Sequence, residues 1–146
     1  MAFHFTLAAV LRYRETIEQR ECHALERIQQ ELARVELQIR QNESDSSAAM
    51  RNRVAELTEG VRAVEMQAAY EYQKALEQQR EVLRARWQEL KVKWRQQLKC
   101  YELARRNLET LDKLRQKQLE VYCREQAKQE QAMIDDLFLS RRRRSN

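Results

Sequence analysis

The stretch LERIQQELARVELQI, residues 25–39, decides the fold. Its apolar residues alternate three and four positions apart: Leu25, Ile28, Leu32, Val35 and Ile39. This alternation is the spacing of a coiled-coil seam. Because such a stripe covers only one side of a helix, it must be buried against a second helix. The sequence therefore predicts a helix that pairs with another helix along this stretch.

The composition extends this prediction to the whole chain. The 146 residues include one glycine, Gly60, and no proline, so the residues that usually interrupt helices are nearly absent. Charged residues make up 35% and aromatic residues 7%, and Ala, Leu, Glu, Gln, Lys and Arg predominate. We expect an all-α fold, an antiparallel two-helix coiled-coil hairpin.

The chain has two candidate positions for the turn. Residues 42–47 (NESDSS) form a polar cluster of residue types that favour local turns. Gly60 is the one residue that takes a left-handed helix cap at little cost. However, Val54, Leu57 and Val61 keep a heptad spacing across Gly60, as if the helix continued. We favour the reversal at Gly60, and the sequence leaves 42–47 open.

With the reversal at Gly60, residues 1–146 form a single hairpin. Helix 1 covers about 4–58, the turn 59–61 and helix 2 about 62–138, followed by a frayed basic tail at 139–146. We expect a phase shift of the seam between Leu11 and Leu25, and another at Trp94–Leu98. Helix 1 is the shorter, so the end of helix 2 should project unpaired.

The sequence lacks the residues and the spacings that catalysis, cofactor binding or metal binding would require. A phosphate-binding loop needs two glycines, and the chain has one. Cys22 and His23 are adjacent and point about 100° apart on a helix, which is unsuited to sharing a metal ion. We therefore expect no enzyme activity, no catalytic residues, no cofactor and no metal.

Aromatic and basic residues are the remaining candidates for partner contacts. Trp87 and Trp94 lie seven residues apart on one helix face, where they are either seam residues or a binding hot spot. Four arginines at 141–144 account for most of the net charge of +5. Elsewhere acidic and basic residues are interspersed, which disfavours nucleic acid as a partner.

Particular segments resemble the FliJ family of flagellar export proteins. Residues 3–14 (FHFTLAAVLRYR) resemble the start of that family, and residues 59–79 its turn and the start of its second helix. The most recognisable stretches are 108–114 (LETLDKL) and 122–136 (YCREQAKQEQAMIDD). The similarity spans nearly the whole chain.

The resemblance implies a component of the flagellar type III export apparatus, similar to the central stalk of rotary ATPases. Its implied partners are the hexameric export ATPase, the membrane export gate protein and the export chaperones of late substrates. We expect a cytoplasmic protein, peripheral at the cytoplasmic face of the inner membrane through its partners. Neither a signal peptide nor an apolar run long enough to span a membrane is evident, and three cysteines without CxxC spacing fit reduced thiols.

Two sets of contact residues follow as hypotheses. The ATPase contact would combine the apolar N-terminus with the basic C-terminal end: Phe3, Phe5, Leu7, Leu137, Phe138, Arg141 and Arg142. By resemblance, the export-gate contact would be a stripe early in helix 2: Ala68, Tyr72, Ala75 and Gln79. The alternative for that stripe is that its members are ordinary seam residues.

Two other functions fit the same pattern. One is the stalk of a virulence type III secretion system, which is the same kind of protein in another machine. The other is a generic coiled-coil scaffold that dimerises through its seam and has no ATPase partner. Sedimentation distinguishes the scaffold, since a hairpin stalk is monomeric and a simple coiled coil is dimeric.

Overall fold

The computed structural model describes residues 2–145, and two antiparallel helices account for nearly all of them. Helix α1 is Ala8–Glu59 and helix α2 is Ala63–Arg144. No β-strand occurs between residues 2 and 145. The predicted all-α helical hairpin is confirmed.

The contacts divide the chain into two compact units. One is Glu21–Tyr101, which contains the turn; the other comprises the residues up to Arg20 and those from Glu102 onward. In each unit a length of α1 packs against a length of α2, burying Leu32 and Leu90 in the first and Leu11 and Ala104 in the second.

The chain reverses over three residues, Gly60, Val61 and Arg62. Gly60 has a φ of +85°, a left-handed conformation that residues with a side chain adopt at a cost. Its N–H donates to the Glu56 carbonyl at 3.1 Å and so closes the last turn of α1.

The polar cluster at 42–47 lies within α1. Asn42 occupies a seam position and is 3% exposed, with its Nδ2 donating to the Leu76 carbonyl at 3.1 Å and to Gln79 Oε1 at 3.4 Å. Because α2 supplies these acceptors, the asparagine is held in the helix instead of bending the chain locally. Among residues 2–145, Asn42 Oδ1 and Arg80 Nε are buried atoms without a hydrogen-bond partner.

The core of unit Glu21–Tyr101 lies midway along the paired helices. Leu32, Val35 and Leu90 are buried together, and four half-buried side chains pack around them: Ile28, Ile39, Trp87 and Trp94. Each of these α1 residues belongs to the 25–39 stripe, so the predicted seam forms the core. Leu90 is 1% exposed, the most deeply buried of the large side chains described.

The two tryptophans belong to this core, and both rings also contact the ammonium group of a lysine. The Lys91 ammonium lies 5.5 Å from the ring centroid of Trp87 and 4.9 Å from that of Trp94. Trp87 Nε1 donates to Glu36 Oε1 on α1 at 3.2 Å. The tryptophans therefore stabilise the pairing of α1 with α2 through packing and the Trp87 hydrogen bond, whereas their cation–π contacts with Lys91 lie within α2 itself.

Near the turn, most side chains at the seam positions are small or polar. Its positions are Asn42, Ser46, Ala49 and Arg53 on α1, and Ala69, Gln73, Leu76 and Arg80 on α2. Of the described residues between 42 and 80, Leu76 is the one buried apolar side chain. The small side chains leave a cavity of about 150 Å³, lined in part by Ala49, Ala69 and Tyr72. This end of the hairpin thus buries little apolar surface.

The two predicted phase shifts of the seam are wrong. Polar residues fill the positions that lack an apolar one, so the heptad spacing continues through Arg14, Glu18 and Glu21 on α1 and through Gln97 on α2. Gln97 Nε2 donates to the backbone carbonyl of Glu21 at 3.1 Å and also to its carboxylate. A hydrogen bond across the seam replaces the missing apolar contact.

Both outer helix ends differ from the prediction. Helix α1 begins at Ala8 instead of residue 4, because Phe5 packs as part of a non-helical segment and its carbonyl accepts the Ala8 N–H at 3.2 Å. Helix α2 runs to Arg144, so residues 139–144 of the predicted frayed tail are helical and Ser145 follows the end of the helix. Four arginines in the last turn favour the helix through its macrodipole.

Candidate partner-binding surfaces

The N-terminal segment packs against its own chain. Phe5 is 5% exposed, and the Phe3 ring lies 5.6 Å from the Tyr122 ring at an angle of 52°. Leu7 stays partly accessible. The hypothesis that Phe5 anchors a partner is therefore corrected, since its ring is already buried within the protein.

The C-terminal part of α2 has no partner helix in the described chain. From Ala127 to Ser145 every residue is exposed, and we call this segment the overhang. It carries five large apolar side chains: Met133, Ile134, Leu137, Phe138 and Leu139. Such a concentration of exposed apolar groups is typical of an interaction surface.

On an α-helix, four of these five side chains lie on one side of the overhang and the fifth lies on another side. Met133 and Leu137, like Ile134 and Phe138, are four residues apart, so these four side chains form one apolar face. Asp135 and Asp136 point away from that face, and Leu139 lies on the side of Asp136. We refer to the four residues as the overhang face; Met133 and Ile134 belong to it although sequence reasoning did not select them.

The overhang face does not continue the seam of the hairpin. Extending the heptad spacing of α2 beyond Tyr122 leads through Glu125, Gln129, Ala132 and Asp136 to Leu139. Leu139 is therefore the one large apolar residue of the overhang on the side that α1 contacts, and the overhang face lies on a different side of the helix. The overhang is therefore suited to a partner other than a prolonged α1.

The arginines at the end of α2 extend the overhang face with positive charge. Arg141 follows Leu137 by four residues and Arg142 follows Phe138 by four, so each lies on the same side as its predecessor. The structure thus brings together four of the predicted ATPase-contact residues. Phe3 packs beside Tyr122 instead, about 22 Å along α2 from Leu137.

The predicted gate stripe lies on the surface beside the seam. All four of its residues are exposed: Ala68, Tyr72, Ala75 and Gln79. The alternative that they are seam residues is wrong, because the seam passes through the neighbouring Ala69, Gln73 and Leu76. Gln79 is the least available of the four, since its Oε1 accepts the Asn42 hydrogen bond at 3.4 Å.

No metal-binding cluster of His, Cys, Asp or Glu occurs among the residues the structure describes. Cys22 Sγ lies 3.7 Å from Glu26 Oε1, while His23 Nδ1 lies 3.5 Å from Glu26 Oε2. Both side chains thus engage a surface glutamate of their own helix. Neither α1 nor α2, over residues 2–145, contains a stretch apolar enough to cross a bilayer.

Comparison with known proteins gives one match. The family model described as "Flagellar FliJ protein" matches residues 3–146. No curated protein and no solved structure matches the chain. The family match covers both helices, the turn, the gate stripe and the overhang face.

Proposed function

The chain belongs to the FliJ family, a non-catalytic component of the flagellar type III export machinery, and from this premise we propose that it binds the hexameric export ATPase as a stalk and links that ATPase to the membrane export gate. The family is flagellar, which favours flagellar export over a virulence secretion system. The proposal places the protein in the cytoplasm, at the inner membrane through its partners.

The overhang face is the observation that carries the ATPase contact. It presents four exposed apolar side chains on one side of a helix, followed on the same side by Arg141 and Arg142. A helix of this kind binds in an apolar groove through residues spaced three or four apart. The arginines favour a groove with an acidic rim.

Sedimentation velocity tests the stalk directly. A mixture of this chain with the purified export ATPase should show the chain moving at the rate of the ATPase hexamer. If the chain kept its own sedimentation coefficient at every ATPase concentration, the proposal would be wrong. Bovine serum albumin in place of the ATPase serves as the control for non-specific association.

The gate stripe supports a second proposed contact, with the export gate. Family membership, and no feature of the stripe, is the basis for also proposing a role in handling export chaperones. Tyr72 is 52% exposed at the centre of the stripe and lies between Ala68 and Ala75, whose small side chains let a partner approach closely. A tyrosine flanked by alanines is a suitable anchor for a shallow contact, since its ring is large and loses little conformational freedom on binding.

We expect Tyr72→Ala to weaken binding to the export gate about tenfold, by removing that ring. Tyr70→Ala is a matched control, because Tyr70 has the same exposure of 52% and points to another side of α2. Biolayer interferometry with the soluble domain of the gate protein measures both. Equal affinities for the two variants would contradict the placement of the stripe.

A further inference from the structure

The overhang face has an acidic residue at one end and a basic residue at the other. Glu130 lies four residues before Ile134 and seven before Leu137, so its side chain points to the same side of α2. Arg141 lies four residues after Leu137, on that side as well. Both charged side chains are exposed. Along this side of the helix the order is therefore acidic, apolar and basic.

These residues belong to a longer stripe with regular spacing. Its members alternate three and four residues apart: Ala127, Glu130, Ile134, Leu137, Arg141 and Arg144. One helix packs along another at this spacing, which continues here for about five helical turns. Met133 and Phe138 lie on the two borders of the stripe. We call the six residues the overhang stripe.

The overhang stripe is complementary to itself in the antiparallel direction. Its midpoint lies between residues 135 and 136, and Ile134 and Leu137 are equally far from that midpoint. Glu130 and Arg141 are equally far from it too. If two overhangs pack antiparallel about this midpoint, Ile134 of each copy faces Leu137 of the other. Glu130 of each copy then faces Arg141 of the other, which forms two ion pairs across the contact.

The other charges of the overhang do not oppose this arrangement. Four of these side chains lie about 130–150° around the helix from the middle of the overhang stripe: Lys128, Asp135, Asp136 and Arg143. Arg142 lies about 110° away, outside the contact. Arg144 of each copy faces Ala127 of the other, whose small side chain leaves room for the arginine stem.

Neither α1 nor the N-terminal segment obstructs this side of the overhang. Helix α1 packs on a different side of α2, and the N-terminal segment reaches α2 at Tyr122, where the Phe3 ring lies 5.6 Å away. The antiparallel pair covers residues 127–144, which lie beyond Tyr122 along α2. A second overhang therefore fits beside the first without displacing a contact of the hairpin.

We propose that two copies of the chain associate through their overhangs, antiparallel about the midpoint of the overhang stripe, with the overhang face buried and two Glu130–Arg141 ion pairs between the copies. The partner is a second copy because the acidic and basic ends exchange places across the midpoint, while apolar residues stay opposite apolar residues. A contact of about five helical turns is smaller than a standard protein–protein interface, so the dimer is weak and reversible.

The dimer covers the surface that the proposed function assigns to the export ATPase. This consequence rests on the proposed function: a second copy and the ATPase use the same four apolar side chains, so they exclude each other. Self-association then keeps an exposed apolar face out of water until the ATPase is present. Association of the chain alone is measured without the ATPase, so the two proposals fail or stand separately.

Charge reversal in the full chain tests the pairing of Glu130 with Arg141. At low ionic strength we expect Glu130→Arg to lower the dimer association constant about tenfold, because two attractive pairs become repulsive. Arg141→Glu should lower it equally. The chain with both substitutions exchanges the two charges and should return to within about threefold of the natural chain. Sedimentation equilibrium measures each association constant, and a combined variant as weak as the single variants would overturn the proposal.

Two control variants change the net charge by the same amounts. Asp136→Arg and Arg143→Glu lie within the paired length but point away from the overhang stripe. We expect each to leave the association constant within about twofold of that of the natural chain. A fall as large as that caused by Glu130→Arg would contradict the pairing, since net charge alone would then govern association. A natural chain that stays monomeric at about 1 mM would also overturn the proposal, since a specific contact of this size is detectable there.

Truncation of an apolar residue tests whether the overhang face is buried in the dimer. Ile134→Ala should lower the association constant at least about tenfold, because the dimer buries this side chain twice. Leu139→Ala is the matched control, since Leu139 is 53% exposed and lies on the side of α2 that α1 contacts. Equal association constants for the two variants would contradict the burial of the overhang face.

Discussion

We expect a chain carrying Leu137→Ala and Phe138→Ala to bind the export ATPase proposed as its partner about 100-fold more weakly than the natural chain. The two side chains are 62% and 67% exposed and belong to the overhang face. Truncating a pair of apolar anchors in a groove typically costs about 2–4 kcal/mol, and 100-fold in affinity corresponds to about 2.7 kcal/mol. Fluorescence anisotropy with labelled chain and purified ATPase measures the effect.

Leu139→Ala is the matched control for this loss. Leu139 is 53% exposed and lies on the same helix, but on the side of Asp136. We expect its affinity for the ATPase to stay within about twofold of that of the natural chain. Alanine is the best helix former, so circular dichroism should show full helix content for every variant. A Leu139→Ala loss as large as that of the double variant would contradict the assignment of the overhang face.

We expect Leu90→Ala to lower the free energy of unfolding by about 3 kcal/mol. Leu90 is 1% exposed and packs against Leu32 and Val35, so the substitution removes buried methyl groups and leaves a cavity between α1 and α2. Leucine-to-alanine changes at such positions cost about 2–5 kcal/mol. Urea unfolding followed by circular dichroism provides the measurement.

Val82→Ala is the reference for that experiment. Val82 lies on the same helix and is 68% exposed, so its truncation creates no cavity. Its free energy of unfolding should stay within about 0.5 kcal/mol of that of the natural chain. If the two variants unfolded at the same urea concentration, the core assigned around Leu90 would be wrong.

The core could be predicted because the spacing of apolar residues within one short stretch of sequence determines it. Leu32, Val35 and their neighbours repeat three and four apart within fifteen residues, and that periodicity depends on no distant residue. The fold class followed from the same stripe together with the scarcity of glycine and proline. Elements with such strong periodicity override the weaker preferences of single residues.

The environment of Asn42 was not predictable from its neighbours. An Asn-Glu-Ser-Asp-Ser-Ser sequence favours a turn by local preference. The stabilising acceptors, the Leu76 carbonyl and Gln79 Oε1, belong to the other helix and are more than thirty residues away. Likewise, the contact of Phe3 with Tyr122 depends on the register of the hairpin, which single-segment patterns do not specify.

The sequence predicted that the end of α2 projects unpaired, but it predicted the apolar face of this overhang only in part. Unequal helix lengths imply an unpaired end, but they do not say on which side of α2 an apolar face lies. Comparing the seam positions with Leu137 and Phe138 requires the heptad phase along α2, and the phase shift predicted at Trp94–Leu98 is absent from the structure. Once Gln97 is assigned to the seam, the heptad phase shows that the i,i+4 pairs containing Met133 and Ile134 lie on a different side of α2 from the seam.

The small, polar seam near the turn has a mechanical consequence for unit Glu21–Tyr101. Twisting or separating two paired helices is resisted by side chains that interlock across the seam, as Leu32 and Leu90 do. Between Ser46 and Arg53, alanine and polar residues offer little such resistance. The unit is therefore torsionally stiff at its core and compliant toward Gly60, so an applied load deforms the turn end first.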